Sequence, residues 1–316
     1  MDGLLSALAS LRSLSCLCLR LKAFDEYDST METSMDLSIL AASKSLKDLE
    51  LESHQGYGTT LSHAHRDQIR LSLGHLQRFA VVRPDSDELA RFLQPPVTAQ
   101  WQDIGSVYAD ERTGELLLRL PTLTKLELLY ARVTAHVNFL PQLTRLTSLD
   151  FECYSATRGC EQPWSVPTDA LFVSLVLCTG ITELRLCCGF ESAQWPALFA
   201  KLTIKKLTIH RSEMVTLQCF ETGPITQSLK ELVIHDCSFP LSEVSHLYAL
   251  RRLRTLRLNE CFLWRLAAST IDSLSPPTPI LPALTTLFHR GPGEHQSDSI
   301  ERSGPSFEWM QQRLTQ

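Results

Sequence analysis

Residues 228–237 read SLKELVIHDC, and residues 252–261 read RLRTLRLNEC: the same arrangement of apolar residues, closed by a cysteine, returns twenty-four residues on. Both stretches have the form L-x-x-L-x-L-x-x-C. Leu229, Leu232, Ile234 and Cys237 carry the first, and Leu253, Leu256, Leu258 and Cys261 the second. A spacing that recurs while its contents change marks a structural unit. Its first apolar position is found again at Leu14, Leu46, Leu76, Leu123, Leu146, Ile181 and Ile204, before Leu229 and Leu253, and then at Leu284. The steps from Ile181 through Leu253 are 23, 25 and 24 residues, so the unit is short and insertions lengthen it elsewhere. The step of 47 residues from Leu76 to Leu123 is close to two units. It accommodates either a degenerate repeat near Ile104 and Val107 or an inserted loop over 101–120.

The L-x-L core of each unit alternates as a strand does, while the segment before it often has helical spacing. Thr168 is placed to cap a helix carrying Ala170, Leu171, Val173, Leu175 and Val176, which Gly180 stops. Ser242 is placed to cap another with Val244, Leu247 and Leu250, and Pro196 suits a first helical turn. At the N-terminus, Asp2 would cap a helix with Leu4, Leu5, Leu8 and Leu11 on one face. No single strand of this length buries its own apolar face. Successive units must therefore stack into one parallel sheet backed by helices, each anchor contributing about 1.5 to 3 kcal/mol once its neighbours are present.

The spacing resembles leucine-rich repeats, in particular the cysteine-containing and ribonuclease-inhibitor-like kinds. The resemblance spans roughly residues 4–290 and implies an α/β leucine-rich-repeat solenoid with a curved parallel sheet on the concave side and helices on the convex side. It divides the chain into a repeat solenoid over 1–290, with insertions near 84–120 and 153–167, and a polar C-terminal tail or cap over 291–316. In that tail Ser306 could cap a short helix bearing Phe307, Met310 and Leu314. In the family, an Asn or Cys three residues beyond the last strand anchor bonds backbone groups of the turn. Cys237 and Cys261 stand there, Ser212 in a third unit, and unsuitable residues such as Pro84, Ala131 and Tyr154 elsewhere. With only two asparagines in the chain, the polar ladder is incomplete. Related repeats often follow an F-box and select substrates for ubiquitin ligases. No F-box is legible ahead of Leu14, so that role would need an upstream segment. The strand around Leu17 and Leu19 has no preceding strand to cover its edge, which also allows the chain to be a fragment of a longer repeat protein.

A net charge of −5 over 316 residues argues against general affinity for nucleic acid. The densest apolar stretch, around 170–178, is half the length of a membrane span. Leu4 to Leu21 is no signal peptide, since Asp2 replaces the basic start and Arg12 interrupts it. The ten cysteines sit mostly in or beside strands, which fits reduced thiols in the cytoplasm or nucleus better than a disulfide framework.

Chemistry is hard to place. Cys16 with Cys18 and Cys187 with Cys188 lack the spacing that lets a pair grip zinc. His63 and His65, two apart on a helix, would point to different faces. Pairing Cys153 or Cys160 with His136 or His210 as nucleophile and base is a combination that ten cysteines and ten histidines give by chance. No phosphate loop or nucleophile elbow is present. The expectation is therefore no catalytic residue, no metal and no cofactor.

The informative positions are those that packing leaves free. Side chains alternate along a strand, so the third, fifth and seventh places of L-x-x-L-x-L-x face outward. They hold Asp48, Glu50 and Glu52 early, Lys125, Glu127, Ser148, Asp150, Glu152 and Glu183 in the middle, and Arg185, Lys206, His210, His235, Arg257 and Arg290 late, with Glu231 as an exception. The expected surface has an acidic portion beside a basic one, on rigid strands. It predicts a scaffold that binds a protein partner on its concave face through Asp48, Glu50, Glu52, Glu127, Asp150, Glu152, Glu183, Arg185, Lys206, His210, His235, Arg257 and Arg290. No specific nucleic acid and no membrane are expected, and the oligomeric state is left open. The competing reading is an enzyme whose site lies in one of the insertions.

Overall fold

In the computed structural model of the chain, residues 2–21, 37–53, 73–81, 89–90, 100–108, 112–130, 137–153, 168–187, 194–210, 216–259, 261–264, 281 and 283–290 are described. They fall into two compact units, one ending at Leu146 and the other beginning at Thr147.

The first unit contains β1 (Cys16–Leu21), β2 (Asp48–Ser53), β3 (Arg78–Val81), β4 (Asp103–Tyr108) and β5 (Lys125–Tyr130), parallel neighbours in that order. β4 settles the alternatives left open between Leu76 and Leu123, since it pairs with β3 on one side and β5 on the other. A degenerate repeat stands there. The second unit contains β6 (Ser148–Cys153), β7 (Glu183–Cys187), β8 (Lys206–His210), β9 (Glu231–His235), β11 (Thr255–Asn259) and β13 (Thr286–Arg290), also parallel. Between them in sequence, β10 (Ser238–Pro240) and β12 (Phe262–Trp264) form a separate parallel pair.

One backbone device recurs at the start of the strands. A carbonyl just before one strand accepts two successive N–H groups of the next repeat: Ser15 takes Lys47 and Asp48, Lys47 takes Gln77 and Arg78, and Gln77 takes Gln102 and Asp103. In the second unit Thr182 takes Lys205 and Lys206, Lys205 takes Lys230 and Glu231, and Lys230 takes Arg254 and Thr255. This locks neighbouring repeats in register whatever their side chains. The L-x-L anchors lie on one side of each sheet, where Leu49, Leu51, Leu126, Leu128, Leu207, Ile209, Leu232, Ile234, Leu256 and Leu258 are wholly buried. On that side of the second unit a helical layer follows strand order, with Thr168–Leu177 next to Gln194–Phe199, then the 3₁₀ segments Leu217–Phe220 and Leu241–Ala249. Trp195, Phe199 and Phe220 form its aromatic seam, the last two stacked at 5.3 Å. These are the parts of a leucine-rich-repeat α/β fold.

Several local expectations need correction. The helix Asp2–Ser10 exists, but only Leu5 is buried, while Leu4 and Leu11 are exposed and Leu8 is half-buried. The 3₁₀ segment Leu37–Ala42 packs on this helix, and the buried part of its apolar face is narrower than the spacing suggests. The segment following Ser242 is 3₁₀ rather than α. A 3₁₀ helix advances about 2.0 Å per residue against 1.5 Å, and so crosses a short repeat with fewer residues. Residues 154–167 and 291–316, including the helix proposed after Ser306, lie outside the described residues, as do the turn positions Pro84, Ala131, Tyr154 and Ser212.

Candidate functional site

Each parallel ladder sets its outward side chains in lateral rows, because register partners on neighbouring strands stand about 4.8 Å apart. In the second unit the registers give three rows. One runs Ser148, Glu183, Lys206, Glu231, Thr255, Thr286. The middle one runs Asp150, Arg185, Thr208, Val233, Arg257, Phe288, and the third contains Glu152 beside Cys187, then His210, His235, Asn259 and Arg290. Packing does not dictate these positions, so their chemistry defines the open face.

In the first unit the open face is a chain of alternating charge. Arg78 on β3 donates to Glu50 on β2 at 2.6 Å, and its Nε lies 3.3 Å from Asp103 on β4. Lys125 on β5 donates to the same Asp103 carboxylate at 3.1 Å. Burial pulls the Arg78 guanidinium down, but the hydrogen bond and charge of Glu50, with Asp103 and Asp48 behind them, leave it above its ordinary value. Asp103 Oδ1 also accepts from the Gly105 N–H at 2.8 Å. Gly105 has φ 71°, and the register slips by one residue between Asp103 and Ser106, which is a glycine β-bulge.

Comparable pairs recur in the second unit: Arg185 donates to Asp150 at 2.9 Å, and Lys206 lies 3.5 Å from Glu231. In these two places an acid on one strand meets a base on the next. Cross-strand pairs cut across the expected division into an acidic and a basic portion at these places, because residues of opposite sign occupy the same row of adjacent repeats, while Glu152 still lies on an early strand of the unit and His210, His235 and Arg257 on later ones.

Of the other predicted surface residues, Asp48, Glu127 and Glu152 are half-buried and Glu183 is exposed. His210 and His235 stack with ring centroids 4.7 Å apart and planes within 13°. Arg257 is exposed, flanked in register by Val233 and Phe288, and forms no ion pair among the described residues. Glu52 and Arg290 lie on β2 and β13, with side chains outside the described set. Reading by pattern missed Arg78 and Asp103. Arg78 is the third place of the unit anchored at Leu76 and was within reach of the template. Asp103 was hidden because Gly105 pushes Ile104 and Val107 out of L-x-L spacing.

Cys237 and Cys261 occupy the turn positions assigned to them. Cys237 Sγ lies 3.2 Å from the His235 carbonyl, and Cys261 Sγ 3.3 and 3.4 Å from those of Ile234 and Asn259. Seven cysteines have described side chains and none of these is in a disulfide: Cys16 and Cys18 are exposed, Cys187 is half-buried, and Cys178, Cys219, Cys237 and Cys261 are buried. Burial pushes the Cys178 thiol up to about 11 and the Cys219 thiol further still. Such thiols are poor nucleophiles. Among the described residues no three His, Cys, Asp or Glu side chains gather to hold a metal ion, and no helix is long and apolar enough to cross a membrane. His63, His65, His136, Cys160 and Cys188 lie outside the described residues.

No protein-family model and no curated protein matches the chain. Among solved structures it is similar to TLR13 in its complex with ssRNA13, at 17% identity and a TM-score of 0.52, covering 92% of this chain and 38% of that one. It thus spans well under half of that protein. An internalin, inlF from Listeria monocytogenes, aligns with 80% of this chain and 70% of its own at 12% identity and a TM-score of 0.41. Both are leucine-rich-repeat proteins, and the first likeness agrees with the fold built above from the strands.

Proposed function

We propose that the chain is a binding scaffold with no chemistry of its own, which holds a protein partner on the open faces of its sheets. The observation that carries this reading is the row arrangement itself. Ladders and anchors fix the backbone, while the outward positions carry charged and polar side chains that the core does not need. Extended strand faces of this kind are the surfaces repeat proteins use for binding. Glu127 and Glu183 add carboxylates at outward positions and form no ion pair among the described residues. On the resemblance to F-box repeat proteins, the partner held would be a substrate presented to a ubiquitin ligase. The free thiols fit a reducing compartment, cytoplasmic or nuclear.

Affinity capture tests the proposal. A variant with Glu127→Lys and Glu183→Lys should lose the captured partner, while Arg145→Glu with Lys201→Glu, exposed residues of turns off this face, should keep it. Equal capture by the two variants would move the binding surface elsewhere. Capture of nothing above background by the unaltered chain would overturn the scaffold reading.

A further inference from the structure

Where the strands begin, one residue per repeat is held in a lateral row by bonds between backbone N–H and carbonyl groups. The row reads Ser15, Lys47, Gln77, Gln102 and Thr124 in the first unit, and Thr147, Thr182, Lys205, Lys230, Arg254 and Thr285 in the second, with bonds of 2.6 to 2.9 Å. These bonds use no side-chain atom, and Ser, Thr and Gln serve at most of the places. Three cations nonetheless follow one another at Lys205, Lys230 and Arg254, all exposed. Neighbouring strands are about 4.8 Å apart, so the three residues fall within about 10 Å. Like charges side by side on adjacent strands repel, and the fold gains nothing from them there. None of the three forms an ion pair among the described residues. The acids of the same repeats are engaged elsewhere: Glu231 lies 3.5 Å from Lys206, Glu221 2.6 Å from His246, and Glu243 accepts the Leu217 N–H at 2.9 Å. Arg251 and Arg252, both exposed, add two cations in the turn that leads to Arg254.

We infer that Lys205, Lys230 and Arg254 form a basic docking ridge along the strand starts of the second unit, and that its occupant is an extended Asp/Glu-rich segment of another protein. This is a second surface beside the open face, and it stands whether or not that face binds. Carboxylates arriving from outside supply the counter-charge that the neighbouring repeats withhold, and they relieve the repulsion along the row. About three residues of extended chain span the ridge, at about 3.4 Å per residue. Single-stranded nucleic acid is disfavoured, because the row of the second unit contains no aromatic residue on which a base could stack. A bilayer is disfavoured too. Basic surface segments gain hold on lipid from apolar side chains beside them, and none of the exposed large apolar residues falls in 201–206, 226–231 or 251–255.

The test is a titration of the full chain at low salt with a labelled oligo-glutamate peptide, against oligo-uridine RNA and vesicles of phosphatidylcholine with phosphatidylserine. Oligo-glutamate should bind more tightly than either. A variant with Lys205→Thr, Lys230→Thr and Arg254→Thr places in these repeats the residue that the same row has at Thr182 and Thr285, so the backbone bonds survive. It should bind the peptide about tenfold or more weakly, with a melt unchanged or raised. Arg12→Thr, Lys44→Thr and Arg145→Thr together make the same change of charge in exposed turns of the first unit, and should leave binding within about twofold. Equal losses for the two triple variants would reduce the ridge to net charge and overturn it. So would tighter binding of the RNA or the vesicles, or no binding of the peptide to the unaltered chain. The open-face variant Glu127→Lys with Glu183→Lys should still bind oligo-glutamate at least as tightly as the unaltered chain, which separates the two surfaces. Loss of the peptide from that variant would place it on the open face and overturn the ridge.

Discussion

On the open face of the first unit, Asp103 keeps 13% of its side chain exposed while one oxygen meets Arg78 and Lys125 and the other holds the Gly105 N–H. These two kinds of contact can be separated. Half-exposed ion pairs contribute at most about 1 kcal/mol each, whereas an orphaned buried N–H costs about 1 to 3 kcal/mol. Asp103→Asn keeps an acceptor for Gly105 and should cost less than about 1 kcal/mol, while Asp103→Ala should cost about 2 kcal/mol. Urea denaturation of both variants checks this, and equal losses would mean that the ion pairs matter more than the bulge. The thiols give a second expectation. Cys16 and Cys18 should react quickly with a thiol reagent in the native protein, and Cys178 and Cys219 slowly even at pH 9, since burial hides them and holds their thiolates back. Rapid labelling of Cys219, read by peptide mass spectrometry, would contradict the packing around Phe220. The outward direction of Cys16 and Cys18 and the turn role of Cys237 and Cys261 were legible in the sequence, because strand alternation and repeat position determine them. The pairing of charges was not. A template says which way a side chain points but not which residue the next repeat places beside it.

At the scale of the element, strands were legible wherever three anchors kept their spacing, and β4 shows why one was left open. An added residue at Gly105 preserves pairing with β5 on both sides of the slip but breaks the pattern that a reader counts. The helical side was read less well, since short repeats are crossed by 3₁₀ segments that obey neither a 3.6-residue nor a two-residue period. These segments need support from one another. Glu243, in the segment Leu241–Ala249, accepts the Leu217 N–H at 2.9 Å and the Thr216 hydroxyl at 3.3 Å, at the start of the segment Leu217–Phe220. The carboxylate of one repeat thus caps the helix of the previous one, a role whose removal costs about 0.5 to 2 kcal/mol. Glu243→Ala should therefore destabilise by about 1 kcal/mol and speed hydrogen exchange at the Leu217 amide. Glu221→Ala, which removes only an exposed contact to His246, should do neither. If exchange at Leu217 is unchanged by Glu243→Ala, that cap is not formed in solution.

Across the repeats of a whole unit, stability is carried by nearest neighbours, since each interior strand bonds to the one before and the one after. In the second unit β9 lies between β8 and β11, and Leu232 on β9 is wholly buried against Leu207 and Leu256 in the same register row. Leu232→Asp puts a carboxylate in that row with no partner, a change in the class that exceeds about 4 kcal/mol. The damage should be graded. Amides of β8, β9 and β11 should lose exchange protection first, while β6, separated from β9 by two strands, should keep more of it. Glu231→Ala, one residue away and facing outward, loses only a 3.5 Å contact to Lys206 between half-exposed side chains and should shift stability by less than about 0.5 kcal/mol. Hydrogen exchange on the two variants, with thermal melts alongside, separates the possibilities. Comparable losses from both would place the register wrong by one residue, because such a slip exchanges the buried and outward sets along the strand. Uniform loss of protection from β6 to β13 in Leu232→Asp would instead show that the second unit unfolds as one cooperative body, in which an anchor destabilises distant strands as much as the two it touches.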